Sequence, residues 1–190
     1  MRDVSIGTEY VYDPVQRGFH WLMAAVVIAA ICVGLYAVDL PKEDPSKGIW
    51  FGIHKSLGVT VLLLVVLRIV WRVIKGAPPY RVALDRWTHL ASSGAHAALY
   101  ALMVFMPVVG YVLSTAADRP VSLFGLYTFP RLFAPDKALA KLAENAQVTG
   151  AWILIAVIVL HIAAALWHQF VKRDEIMARM APRLTQKRDV

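Results

Sequence analysis

Apolar residues gather in four long blocks, at about residues 18–38, 51–74, 89–114 and 148–171, and polar residues gather between them. None of the blocks contains Asp or Glu. About twenty apolar residues in a helix cross a hydrocarbon layer of ~30 Å. Inside that layer the backbone must satisfy its own hydrogen bonds, which leaves helices or closed barrels. The blocks are continuously apolar rather than alternating, so the pattern predicts four membrane helices. The intervening stretches read as an arm (1–17), a Pro-containing loop around PKEDPSKG (41–48), a connector broken by Pro78-Pro79, a long loop (115–147) and a basic tail (172–190). Within the long loop, residues 123–133 suit an amphipathic cap lying in the interface.

Lys and Arg set the orientation. The arm, the 68–88 connector and the tail hold two, five and six of them, against two in the 39–49 loop and four in the long loop. Positive charge is retained on the cytoplasmic side. The expectation is therefore an all-α, integral membrane, up-down-up-down four-helix bundle in one domain, 1–190, with both termini cytoplasmic and the 115–147 loop periplasmic.

Composition agrees: 58% of residues are hydrophobic, 17% are charged and mean hydropathy is +0.56, too apolar for an ordinary soluble domain. The net charge of +7 comes from clusters beside the apolar spans. Topology explains those clusters, so nucleic acid is not an expected partner. A single cysteine, Cys32, excludes an intrachain disulfide and any Cys-based metal or iron–sulfur site.

The chemistry lies in the histidines. His161 and His168 are seven residues apart in the fourth span, hence on one helical stripe and about 10 Å apart along the axis. His89 and His96 repeat that spacing in the third span, with His89 at the interfacial edge beside Trp87 and Arg86. His20 opens the first span and His54 the second. The predicted topology puts His54 near the outer face and His20, His96, His161 and His168 in the inner half. Ionisable groups in membrane helices mark sites or pathways. Heme b suits facing histidines in an apolar bundle. Zinc is the competing reading, but it wants three or four close ligands, often with Cys or carboxylate. Depth alone leaves the pairing open: His20 could face His161 or His168. Arg68 and Arg72, four apart, share a face and read either as interfacial cations or as partners of an anionic group between helices.

YDPVQRGFHWLMA, GIHKSLGVTVLLLVVLRIVWR, HAALYALMVFMPVVGYVLS, DRPVSLFGL, LFAPDKALAKL and VLHIAAALWHQF span nearly the whole chain. Together they resemble the bacterial cytochrome b561 family of four-span, diheme membrane proteins. The resemblance implies an inner heme on His20 and His161, His54 as one ligand of an outer heme, and His96 and His168 near a quinone. The family also carries a histidine fourteen residues before the position of His161, implied as the partner of His54. Here that position is Gln147, and an amide is a poor iron ligand. One firmly held heme is therefore expected, with an outer site that is empty or partly filled.

The function so implied is electron transfer between a periplasmic-side donor, superoxide in some family members, and a membrane quinone. A turnover enzyme of this kind would be an oxidoreductase acting on quinone. The alternatives are a heme-bearing anchor serving a separate soluble or membrane redox partner, and a heme-binding protein without turnover. The expected location is the bacterial inner membrane.

Overall fold

The computed structural model describes residues 8–81 and 85–181. Four long helices dominate it: α1 (Pro14–Asp39), α2 (Lys47–Lys75), α3 (Arg86–Ala116) and α4 (Lys137–Trp167). All four are long and apolar enough to cross a membrane. This is the expected all-α four-span bundle.

Each boundary has a local cause. Asp13 caps α1, accepting from the backbone N–H of Val15 and Gln16, with Pro14 in the first turn, where a missing N–H costs nothing. Asp85 caps α3 in the same way through Trp87 and Thr88, and Asp136 caps α4 through Ala138 and Leu139. Gly76, at φ 71°, ends α2 in a conformation that residues with a Cβ avoid, and two prolines follow within three residues.

The Asp136 cap corrects one boundary. Residues 137–147, expected as the end of the long loop, form the first turns of α4. KALAKLAENAQ is rich in strong helix formers, and the cap starts the helix ahead of the apolar run. The loop shortens to 117–136. The interfacial cap expected at 123–133 is instead a small antiparallel hairpin, β1 (Ser122–Leu123) and β2 (Tyr127–Thr128), with positive φ at Phe124 and Gly125 in its turn. Ser56 of α2 anchors it: its hydroxyl donates to Ser122 O (2.8 Å) and accepts from Phe124 N (2.9 Å).

Packing is uneven around the bundle. α1 lies along α2, α4 along α3, and α2 joins the two pairs through α3. Among the described residues α1 and α4 make no comparable approach. The dry centre is small, built on Val27, Val61 and Leu154, with Leu102, Met103, Met106 and Ile158 against it. Leu63, Val66, Leu160 and Phe170, among many others, face outward. An apolar exterior of this extent suits lipid rather than water.

At one end of the bundle the arm, the connector and the tail are tied together. Gln16 donates to Gly76 O (2.8 Å) and Trp71 to Asp13 (3.2 Å). Arg179, only 5% exposed, donates to Tyr10 O at 3.2 Å and Pro78 O at 2.5 Å, and its guanidinium covers the Tyr80 ring at 3.9 Å. The hairpin marks the opposite end.

Candidate functional site

The six histidines separate into distinct environments. At the tied end, the His20 ring of α1 faces the His161 ring of α4, with centroids 6.3 Å apart. The His96 ring of α3 lies 5.5 Å from that of His161. The seven-residue stripe on α4 thus splits: His161 joins His20 and His96, while His168 belongs to a turn beyond the helix.

A metal bonded to one nitrogen of each of two imidazoles at ~2 Å holds the ring centres roughly 6 Å apart. The His20–His161 separation fits that span across the two helices that do not pack closely on one another. Close approach of α3 and α4 leaves less room beside His96. Among the described residues no three His, Cys, Asp or Glu side chains converge to hold a bare metal ion. Two facing imidazoles would suit a group that brings its remaining metal ligands with it, as a heme does, with His20 and His161 as the residues that would hold it.

Second partners decide which ring nitrogen is available. His54 Nδ1 lies 2.8 Å from Ala30 O, and His96 Nδ1 lies 2.7 Å from Ser92 O. Both acceptors hold the proton on Nδ1 and leave Nε2 as the lone-pair nitrogen, the arrangement typical of metal-binding histidines. His20 differs, because the Arg68 guanidinium donates toward its Nδ1 at 3.4 Å. Arginine cannot accept, so this contact keeps the His20 proton on Nε2. Ligation through Nε2 requires Arg68 to release Nδ1. Arg68 also reaches Met23 Sδ at 3.9 Å and stands over the Tyr100 ring at 5.5 Å. It thus points between the helices, beside the facing imidazoles, where it can pair with an anionic group. Arg72 instead stacks on Tyr12.

Toward the hairpin end, His54 is turned onto α1. A Cβ on Gly34 would lie 2.7 Å from two atoms of its ring, so only glycine allows this approach. Gln147 packs against Gly110 of α3, and its buried Oε1 has no hydrogen-bond donor among the described residues. Met106 closes on Gly150 nearby: an added Cβ would meet its sulfur at 2.6 Å.

Sequence reasoning missed Asp174, whose carboxylate lies 2.5 Å from His168 Nδ1. It missed Gly34 as the seat of His54 and Arg179 as the tie between three segments. A carboxylate six residues from a histidine, across a helix end, has no fixed geometry in sequence. Arg179 looked like one more basic residue of the tail.

Four apolar helices with two facing imidazoles, His20 and His161, between them have the features of a membrane-embedded b-type cytochrome. Residues 11–183 match the prokaryotic cytochrome b561 family, and the chain belongs to that family. It is 33% identical over 173 residues to "Cytochrome b561 homolog 2" of Escherichia coli K12, covering 89% of this chain and 90% of that protein. It is 24% identical to "Cytochrome b561 homolog 1" of the same organism, over 90% of this chain and 97% of that protein. It is 28% identical to "Probable superoxide oxidase CybB" of Yersinia pestis, over 90% and 96%. Family membership implies b-type heme and electron transfer in a bacterial membrane.

Proposed function

We propose that this chain carries electrons one at a time from a donor on the hairpin side to a quinone on the tied side, through a heme b that His20 and His161 would hold. The observation that carries the reading is the pair of imidazoles 6.3 Å apart across α1 and α4, the two helices without close packing. Heme b supplies reversible one-electron redox chemistry. The protein's part is to hold the two rings in register, to exclude water with Val27, Val61 and Leu154 below them, and to set a guanidinium beside the site. Positive charge next to a redox centre favours its reduced state.

Superoxide is the donor supported by the name of the Yersinia pestis relative. The orientation follows from Lys and Arg: the tied end carries the connector and the tail, the two segments richest in them, so it is read as the cytoplasmic end of an inner-membrane protein. His96 and His168 stand on that side and are assigned to the quinone; with Nδ1–H engaged by Ser92 O and Asp174, each donates to a carbonyl oxygen from Nε2 only in its protonated form. His54, with Nδ1 held by Ala30 O, is a competent single ligand at the other end. With Gln147 in place of a second imidazole, a heme there is empty or substoichiometric.

The purified protein in lipid nanodiscs tests the proposal. A pyridine hemochrome assay against protein concentration should give close to one heme per chain. Steady-state superoxide should reduce a soluble ubiquinone analogue only when the protein is present. Absence of quinone reduction with heme fully loaded would turn the reading toward an anchor or a heme-binding protein without turnover.

A further inference from the structure

α4 does not end in an ordinary cap. At His168 it widens into one π-helical turn, His168–Lys172, and Arg173 then reverses the chain at φ 53°. The reversal brings Asp174 back under the helix, so that its N–H donates to His168 O (3.2 Å) and its carboxylate Oδ2 meets His168 Nδ1 at 2.5 Å. The other oxygen, Oδ1, accepts from Ile176 N (3.1 Å) and starts the next turn. The His168 side chain is 13% exposed, while that of Asp174 is 34% exposed. π-turns inside or at the end of α-helices recur at functional sites. A helix end needs no carboxylate against an imidazole in order to stop, and the left-handed Arg173 alone would end this one.

We infer that Asp174 is a positioning residue for quinone protonation, acting through His168. The inference rests on the assignment of His168 to the quinone. The carboxylate accepts the Nδ1 proton, which fixes the tautomer and leaves Nε2 as the proton-transfer nitrogen. Among the described residues nothing hydrogen-bonds to Nε2. The same contact holds the imidazole ring in one orientation, with Nε2 turned away from the carboxylate. When the quinone takes up an electron from the bound cofactor, the Nε2–H bond of the imidazolium breaks and an O–H bond forms on the quinone oxygen. His168 is left neutral with Nδ1–H still on Asp174. Water at the exposed membrane surface returns a proton to Nε2 after the product leaves. Two electrons and two protons complete the quinol, and each proton transfer leaves Asp174 unchanged in charge.

Asp174→Asn tests this, because an amide oxygen at Oδ1 can still hold Ile176 N while the charge is lost. The expected result is quinone reduction slowed by about ten- to a hundredfold in kcat, the range for loss of a residue that orients a functional histidine. KM should stay within about twofold. Heme content and the low-spin spectrum should be unchanged, and Asp174→Glu should recover much of the rate. Nitrogen NMR of histidine-labelled protein supplies a readout that does not depend on turnover: His168 should carry its proton on Nδ1 in the parent protein and lose that preference in Asp174→Asn. His168→Gln separates the two layers. If His168→Gln is slow and Asp174→Asn turns over like the parent, the role of Asp174 is overturned and the quinone assignment stands. If His168→Gln turns over like the parent, the quinone assignment fails and the inference fails with it.

Discussion

The two ends of the bundle hold histidines in opposite ways. At the tied end, His20 and His161 face each other across α1 and α4, two helices that stay apart, and Arg68 stands beside them. At the hairpin end, His54 is drawn onto its own neighbour α1 through Ala30 O and the bare face of Gly34, while Gln147 rests on Gly110. One end presents two imidazoles to a common space. The other has one imidazole and an amide, each packed on an adjacent helix by a glycine. Helices brought together by small residues gain van der Waals contact and lose interior room. On the proposed reading, this difference would let one four-helix scaffold keep one cofactor position and give up the other.

The largest expected effect comes from breaking the facing pair. His161→Ala should remove the low-spin, six-coordinate spectrum and lower heme retention on the order of tenfold or more. His54→Ala should leave that spectrum intact. Parallel absorption spectra at equal protein concentration decide it. A His161→Ala protein that retains the low-spin signal would assign the ligand elsewhere, with His96, 5.5 Å from His161, the first residue to test.

Restoring the second ligand should have the next largest effect. Gln147→His replaces a buried amide, whose oxygen has no donor among the described residues, by an imidazole. The heme-to-protein ratio should rise from about one toward two, with a second low-spin component. Two low-spin hemes in the unmodified protein would show that the hairpin end is not closed.

A sequence shows some of this contrast and hides the rest. The four spans, their charge bias and the stripe of His161 and His168 follow from composition and helical period, because both are properties of one segment at a time. Whether His96 joins His161 or His168 depends on how α3 is rotated against α4, which no single-helix pattern contains. The start of α4 is hidden because KALAKLAENAQ lies outside the apolar run, while the Asp136 cap starts the helix ahead of it. Gly34 was one small residue in an apolar run until the His54 ring lay against it. The departure at Gln147 was visible, but only the structure shows that its oxygen is buried without a donor.

Glycine substitutions sharpen the contrast at smaller scale. Gly34→Ala forces a Cβ to within 2.7 Å of the His54 ring, so the ring or the α1–α2 contact must shift. Overpacking of this kind costs about 1–3 kcal/mol. Gly18→Ala, on the same helix toward the tied end, meets nothing within 4 Å. It should be neutral or stabilising by up to about 1 kcal/mol through helix propensity. Unfolding midpoints in detergent compare the two directly, and equal midpoints would mean that His54 is not seated on Gly34.

The smallest effect concerns two exposed carboxylates, one at each end, outside the spans. Asp85 caps α3 at the tied end, and its carboxyl is held below the usual value of 3.8 by hydrogen bonds from the Thr88 hydroxyl, then Thr88 N and Trp87 N. Asp44 opens the turn before α2 at the hairpin end and is lowered likewise by the Ser46 hydroxyl and Ser46 N. A carboxyl whose folded pKa lies below its unfolded value contributes stability that is fully present above the unfolded pKa. That contribution disappears as pH falls through the folded pKa. The Asp85 cap and the Asp44 turn should therefore hold unchanged at neutral pH and weaken only below about pH 4, where protonation removes the acceptor charge. Amide exchange of the first turn of α3 and of the turn at Ser46, followed from pH 5 downward, measures each separately. Asp85→Ser keeps a capping oxygen without a titrating group, so it should flatten the acid dependence at α3 and leave that at Ser46 intact. An acid response that persists at α3 in Asp85→Ser would place its source in another group and leave Asp85 as a cap of geometry alone.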